Sequence, residues 1–151
     1  PADPMAALDV RFLDRFFDLH VMDPVQVAVA AALGRLPIKR EDGLALASER
    51  LELAYGWLET QLAGRDWAAG ADFTLADCAA APSLFYADWT HRLSEAFPVL
   101  RAYRARLLAR PSFARAVEEA GADAAHAVYR LVVCRLPGQP VPLRPLDRTP
   151  R

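Results

Sequence analysis

Phe73-Thr74-Leu75-Ala76-Asp77-Cys78 writes out the start of a helix. Thr74 is the N-cap: its hydroxyl can accept a hydrogen bond from the Asp77 backbone N–H, and the Asp77 carboxylate can accept one from the Thr74 N–H. Two donors that a helix terminus leaves orphaned are thereby satisfied. Phe73 precedes the cap and Cys78 occupies the fourth helical position, so the two are predicted to touch as a hydrophobic staple. Asp77 is therefore assigned to structure, and its loss as a cap is expected to cost roughly 0.5–2 kcal/mol.

Outward from this stretch the chain reads as helix in both directions. Strand signals are nearly absent, and Ala, Leu and Arg recur with helical period. Asp3-Pro4 is a cap with Pro at the first helical position and opens a helix to about Val21. Asp23-Pro24 repeats the signal, so this helix either kinks there or restarts and runs to about Leu33. Gly34 to Gly43, with Pro37 and a cluster of charges, is predicted as a surface loop. A second long helix follows from about Leu44 to Leu62, with Gly64 as its stop. The helix opened by Thr74 reaches about Trp89 and contains Pro82, which removes one backbone bond. Shorter helices are predicted over 97–109 and 111–120, and Asp123 can cap a last one to about Leu136. Five prolines from Pro137 onward make residues 137–151 an extended or disordered tail. The expected fold is thus an all-α bundle over 1–136.

Composition excludes several function classes. Of 151 residues, 18 are basic and 19 acidic, a balance that argues against a nucleic-acid-binding surface. No apolar run is long enough to span a bilayer, and no signal-peptide pattern is present. Cys78 and Cys134 fit no metal-ligand spacing and sit in apolar helical contexts, so both are expected as buried free thiols in a reducing compartment, the cytoplasm. His20, His91 and His126 are too scattered to form a metal site. No nucleophile–base pair or Gly-rich phosphate loop is evident.

The first helix carries an unusual distribution of apolar residues. Arg11, Asp14, Arg15 and Asp18 gather on one polar arc. The remaining arc is wide, with Leu8, Phe12, Phe16 and Leu19 on one side and Val10, Leu13, Phe17 and Val21 on the other. A surface helix packed on one core needs a narrower stripe. Two accounts fit: a central helix wrapped by its own bundle, or a helix whose second side meets another domain or a partner. Asp9, Phe12, Phe16 and His20 also fall on one line along it.

The run Trp67-Ala-Ala-Gly-Ala-Asp-Phe-Thr-Leu-Ala-Asp-Cys, continuing through Pro82 to Tyr86-Ala87-Asp88, resembles the C-terminal helical domain of glutathione transferases, most closely the bacterial members. Phe97-Pro98-Val99-Leu100-Arg101-Ala102-Tyr103 and Ala109-Arg110-Pro111-Ser112-Phe113 match the next two helices of that domain. Arg11-Phe12-Leu13-Asp14-Arg15-Phe16-Phe17-Asp18 looks like its long first helix. The resemblance spans roughly residues 5 to 120.

It implies a detoxification enzyme in which a thioredoxin-like domain, not recognisable in this sequence, holds glutathione and supplies the catalytic residue. The helical half binds a small hydrophobic electrophile, and the whole forms a homodimer. By resemblance, Phe12 and Phe16 offer apolar walls of the second-substrate pocket, Asp9 and His20 polar anchors, and Trp89 one closing side. The bland alternative for these residues is a core stripe with two half-exposed polar groups, and aromatics covering a helix end. This chain alone has no complete active site. Glutathione enters only as an implied co-substrate, and the competing reading is a free-standing, non-catalytic interaction module.

Overall fold

The computed structural model describes residues 1–121, and among them the expected helices form and no strand does. Helix α1 (Pro4–Phe16) begins where Asp3 accepts a hydrogen bond from the Ala6 N–H at 2.8 Å. It passes without a break through a π-helical segment (Phe17–Met22) into α2 (Asp23–Ala32). Then follow α3 (Arg40–Gln61), α4 (Leu75–Thr90), α5 (Pro98–Ala109) and α6 (Pro111–Gly121). The helix predicted over 123–136, with Cys134 and His126, and the proline-rich stretch 137–151 lie outside the described residues.

At the Asp23-Pro24 signal the chain stays helical across the π-segment and resumes as α2 at Asp23. Pro24 has no N–H to donate to the carbonyl one turn back, and its ring would crowd that carbonyl. Widening the preceding turn relieves the conflict: the Asp23 N–H donates to the Asp18 carbonyl, five residues back, so the chain gains one residue and stays helical.

The loop predicted over 34–43 is shorter than expected, because α3 starts at Arg40 rather than Leu44. Glu41 and Asp42 sit in its first turn, where negative charge complements the helix dipole. Gly43 is then not a loop glycine but a buried one inside the helix, and a Cβ there would collide with the Ala31 Cβ. With Ala28 and Ala47 also fully buried, small side chains let α2 and α3 lie close together.

Helix α4 runs through the middle. Buried residues appear on nearly all its faces, as a helix surrounded by others requires. One continuous core joins Phe17, Val21 and Val25 from the first helical stretch, Leu51, Tyr55 and Leu58 from α3, Leu84 from α4, and Leu100, Tyr103 and Leu107 from α5.

Carboxylates, two of them buried, fasten the helices to one another. Asp77 is fully buried and accepts from the Thr74 N–H and the Ala68 N–H at 2.8 Å each, from the Thr74 hydroxyl at 3.1 Å, and from the Tyr103 hydroxyl at 2.7 Å. The capping box is present, and the same carboxylate also ties the preceding loop and α5 to α4. Glu59 of α3 caps α5 from outside, accepting from the Val99 and Leu100 N–H groups at 2.9 and 2.8 Å. Asp88 accepts from the Leu93 N–H at 3.0 Å and pairs with Arg104 at 3.2 Å and Arg92 at 3.1 Å.

The two staple residues, Phe73 and Cys78, sit in different surroundings. Phe73 packs edge-on against Trp67, 5.1 Å between ring centroids, and lies under the Arg110 guanidinium at 3.6 Å. Cys78 is exposed, not buried: α4 turns its inner face to the core through Ala76, Asp77 and Ala80, which directs Cys78 outward.

Four donors on one buried carboxylate raise the expected loss at Asp77 above that of a simple cap. Asp77→Ala should destabilise the chain by about 3–5 kcal/mol in urea unfolding, since buried donors are left without partners. Burial, reinforced by the hydrogen bond to Asp77, pushes the Tyr103 phenol far above its ordinary range. The unfolded phenol ionises near pH 10 while the folded one holds its proton, so this contribution is intact below about pH 10 and lost above it. Above that pH, stability should fall more steeply in the parent chain than in Tyr103→Phe, by up to ~1.4 kcal/mol per pH unit.

Candidate functional site

The two sides of the first helix meet different fates. Val10, Leu13, Phe17 and Val21 are buried in the core. Leu8, Phe12 and Leu19 are 50–58% exposed, and Met5 extends the strip towards the N-terminus. Where this strip meets α3 it opens into a groove of about 510 Å³, lined by Phe16, Leu19, His20 and Pro24 on one wall and Arg50, Leu53, Ala54 and Trp57 on the other. That volume lies within the ordinary range of small-molecule sites.

The groove's floor is aromatic. Phe16 and Trp57 stack with centroids 4.1 Å apart and planes 25° from parallel. His20 continues the row at 4.8 Å from Phe16, and Phe12 adds an edge contact to Trp57 at 5.9 Å. The polar groups of the lining are Arg50 and His20. Arg50 faces Asp23 across 3.7 Å, an exposed ion pair too long for a hydrogen bond. Among the described residues no group of His, Cys, Asp and Glu could hold a metal ion, and no helix is long and apolar enough to cross a membrane.

Residues 41–106 match the family model of the glutathione S-transferase C-terminal domain. Three solved structures share the arrangement. FzlA from C. crescentus is 28% identical, with a TM-score of 0.63 over 75% of this chain and 53% of its own. Gtt2 from Saccharomyces cerevisiae is 24% identical, with a TM-score of 0.66 over 76% of this chain and 58% of its own. A glutathione transferase homologue from Sulfitobacter, with bound glutathione, is 25% identical, with a TM-score of 0.62 over 80% of this chain and 65% of its own. This is the glutathione S-transferase C-terminal fold. The chain spans a little over half the length of the first two of these structures. Among curated proteins no sequence matches.

Within that fold the residues singled out from the sequence separate into two groups. Phe12, Phe16 and His20 come together on the exposed side of the first helix, and Phe16 and His20 line the groove. Asp9 is exposed one turn before Phe12 and does not line it. Trp89 does not line it either: it packs in an aromatic cluster with Phe85 at 4.9 Å and Tyr86 at 5.9 Å, and Phe113 of α6 touches Phe85.

The opposite wall went unread. Arg50, Leu53, Ala54 and Trp57 fall at i, i+3, i+4 and i+7, the spacing of one helix face. That stripe was legible, but α3 also buries Leu51, Ala54, Tyr55 and Leu58, and nothing local distinguishes its open face from its core face. His91 also has a settled place. It ends α4, its Nε2 lies 2.7 Å from the Glu52 carboxylate, and its carbonyl accepts from the Tyr55 hydroxyl at 3.1 Å.

Two phenylalanines five residues apart test this division of the helix. Phe17→Ala should lose about 3–5 kcal/mol of stability, the range for a fully buried aromatic. Phe12→Ser should lose about 1 kcal/mol or less, because its ring is more than half in solvent already. Equal losses in chemical denaturation would mean that Phe12 is covered in solution.

Proposed function

We propose that this chain is the electrophile-binding half of a glutathione transferase and that the aromatic groove between the first helix and α3 receives the second substrate. The observation that carries the reading is the groove itself: an open, aromatic-floored cavity on a helix whose outer side carries apolar residues the core does not use. Glutathione comes into the proposal through the fold and through the Sulfitobacter homologue, which holds it.

The chemistry divides between two parts. A thioredoxin-like domain would bind glutathione and stabilise its thiolate by donating a hydrogen bond to sulfur, which favours the charged form. The helical part would hold the electrophile beside that sulfur, so that its contribution to rate is proximity and orientation. Phe16 and Trp57 supply area for an apolar ligand, with His20 beside them and Phe12 against the edge of Trp57. The exposed strip of Met5, Leu8 and Phe12 is the surface on which a second domain, or a second copy in a homodimer, would pack. The alternative is a stand-alone interaction module, and the strip bears on that choice: it is apolar where a module acting alone in water would be expected to carry polar residues.

The test uses the protein expressed with whatever its gene encodes upstream of Pro1. Conjugation of glutathione to a neutral chloronitroarene should be measurable. Phe16→Ala should raise KM for the arene about five- to tenfold and leave KM for glutathione unchanged, as expected for loss of one aromatic contact. No turnover in the parent protein would favour the interaction module.

A further inference from the structure

We infer that the ligand of the groove is a flat aromatic acid, with its ring against the Phe16–Trp57 stack and its carboxylate on Arg50. The inference rests on the proposed reading of the groove as a small-molecule site and narrows it to one chemical class. Shape selects the flat ring. Phe16 is stacked on Trp57 and lies close to His20, so the faces between these rings are taken up and the stack offers ring edges to the groove, while Leu19 and Leu53 stand exposed beside it. A planar π-system can lay its face across those edges, the edge-to-face arrangement that aromatic pairs favour, and exclude water from both partners.

Charge selects the acid. The lining carries one permanent cation, Arg50, and one imidazole, His20, and among the described residues no carboxylate lines the groove. Asp23 stands outside the lining, 3.7 Å from Arg50, and both side chains are about half exposed. This pair is weak, and it leaves the guanidinium able to take a better partner. A ligand carboxylate approaching along the groove can accept two parallel N–H donors from Arg50, a geometry Asp23 does not achieve. A neutral aromatic gains the stacking and none of this. Leu53, 72% exposed, gives a position where charge can be changed without disturbing the core.

Equilibrium dialysis of the full 151-residue chain at low salt, with 1-naphthoate and with neutral 1-naphthylmethanol, tests the inference. Naphthoate should bind about three- to tenfold tighter, as one half-exposed charge-assisted contact allows. Arg50→Gln should bring the two affinities together. Leu53→Asp should abolish the preference by repulsion while the neutral probe is weakened less. Circular dichroism of both variants should match the parent, since both positions are at the surface.

Equal binding of the two probes, or a preference that survives Arg50→Gln, would overturn the aromatic-acid assignment and leave the groove as a site for neutral electrophiles. Failure of both probes to bind would remove the groove reading as well. Binding that disappears as the chain self-associates would give the groove to a second copy of the protein and overturn the assignment.

Discussion

A carboxylate with no access to water has to be surrounded by donors, and Asp77 meets that constraint with four of them. The arrangement ties together three parts of the chain that would otherwise be independent. Thr74 fixes where α4 begins. Ala68 fixes the path of the preceding loop, which Trp67 and Gly70 close with paired hydrogen bonds of 2.8 and 3.1 Å. Tyr103 fixes the rotation of α5, because its hydroxyl reaches the carboxylate only when the ring is in the core. A cap alone would stabilise one helix terminus. This one sets the relative position of α4, α5 and the loop between α3 and α4.

The same economy recurs elsewhere in the bundle. Helix α5 begins with Phe97-Pro98, and its first turn has no capping side chain of its own. Its free N–H groups are met by Glu59, forty residues earlier on α3, so the start of α5 depends on α3 lying alongside. At the other end of α4, Asp88 gathers the Leu93 N–H and two arginines, and Arg104 also reaches the Leu84 carbonyl at 3.2 Å. The central helix is thus held at both ends by buried or nearly buried acids, while its middle is packed by small residues. Polar groups specify the geometry, and apolar burial supplies most of the driving force.

How much of this the sequence disclosed follows from range. The Thr74–Asp77 box spans three residues and was legible; the Ala68 and Tyr103 partners lie nine and twenty-six residues from Asp77 and carry no local signature. Helix order and most boundaries were readable because caps and prolines act locally. Gly43 misled because a glycine beside charged residues reads as a loop, whereas here its missing side chain admits Ala31 from a neighbouring helix. The Asp23-Pro24 pair marks a disturbance locally, but the π-turn that resolves it has no local signature. Cys78 was misassigned because an alanine-rich surrounding says nothing of which side faces out. The candidate site was half legible: the wall on the first helix showed as a second apolar side, while the wall on α3 required knowing which helix lies opposite.

That second side also constrains what the chain can be. Apolar residues on a helix are explained by a core only where they are buried, and Val10, Leu13, Phe17 and Val21 already complete that task. Leu8, Phe12 and Leu19 contribute nothing to the core, and they run continuously into the groove at Phe16. Their area in water lowers solubility and adds no folding free energy, and it is the surface that the proposed contact with a second domain or a second copy would cover. The groove and the strip then divide the surface between them. The strip, exposed and apolar, would suit the face of another folded unit. The groove, concave and bearing Arg50 and His20, offers charge as well as area, and charge discriminates among small ligands in a way that apolar area does not. In the proposed reading, selectivity on this face would reside in Arg50 and in how firmly Asp23 holds it, and the aromatic stack would supply affinity common to any flat ligand.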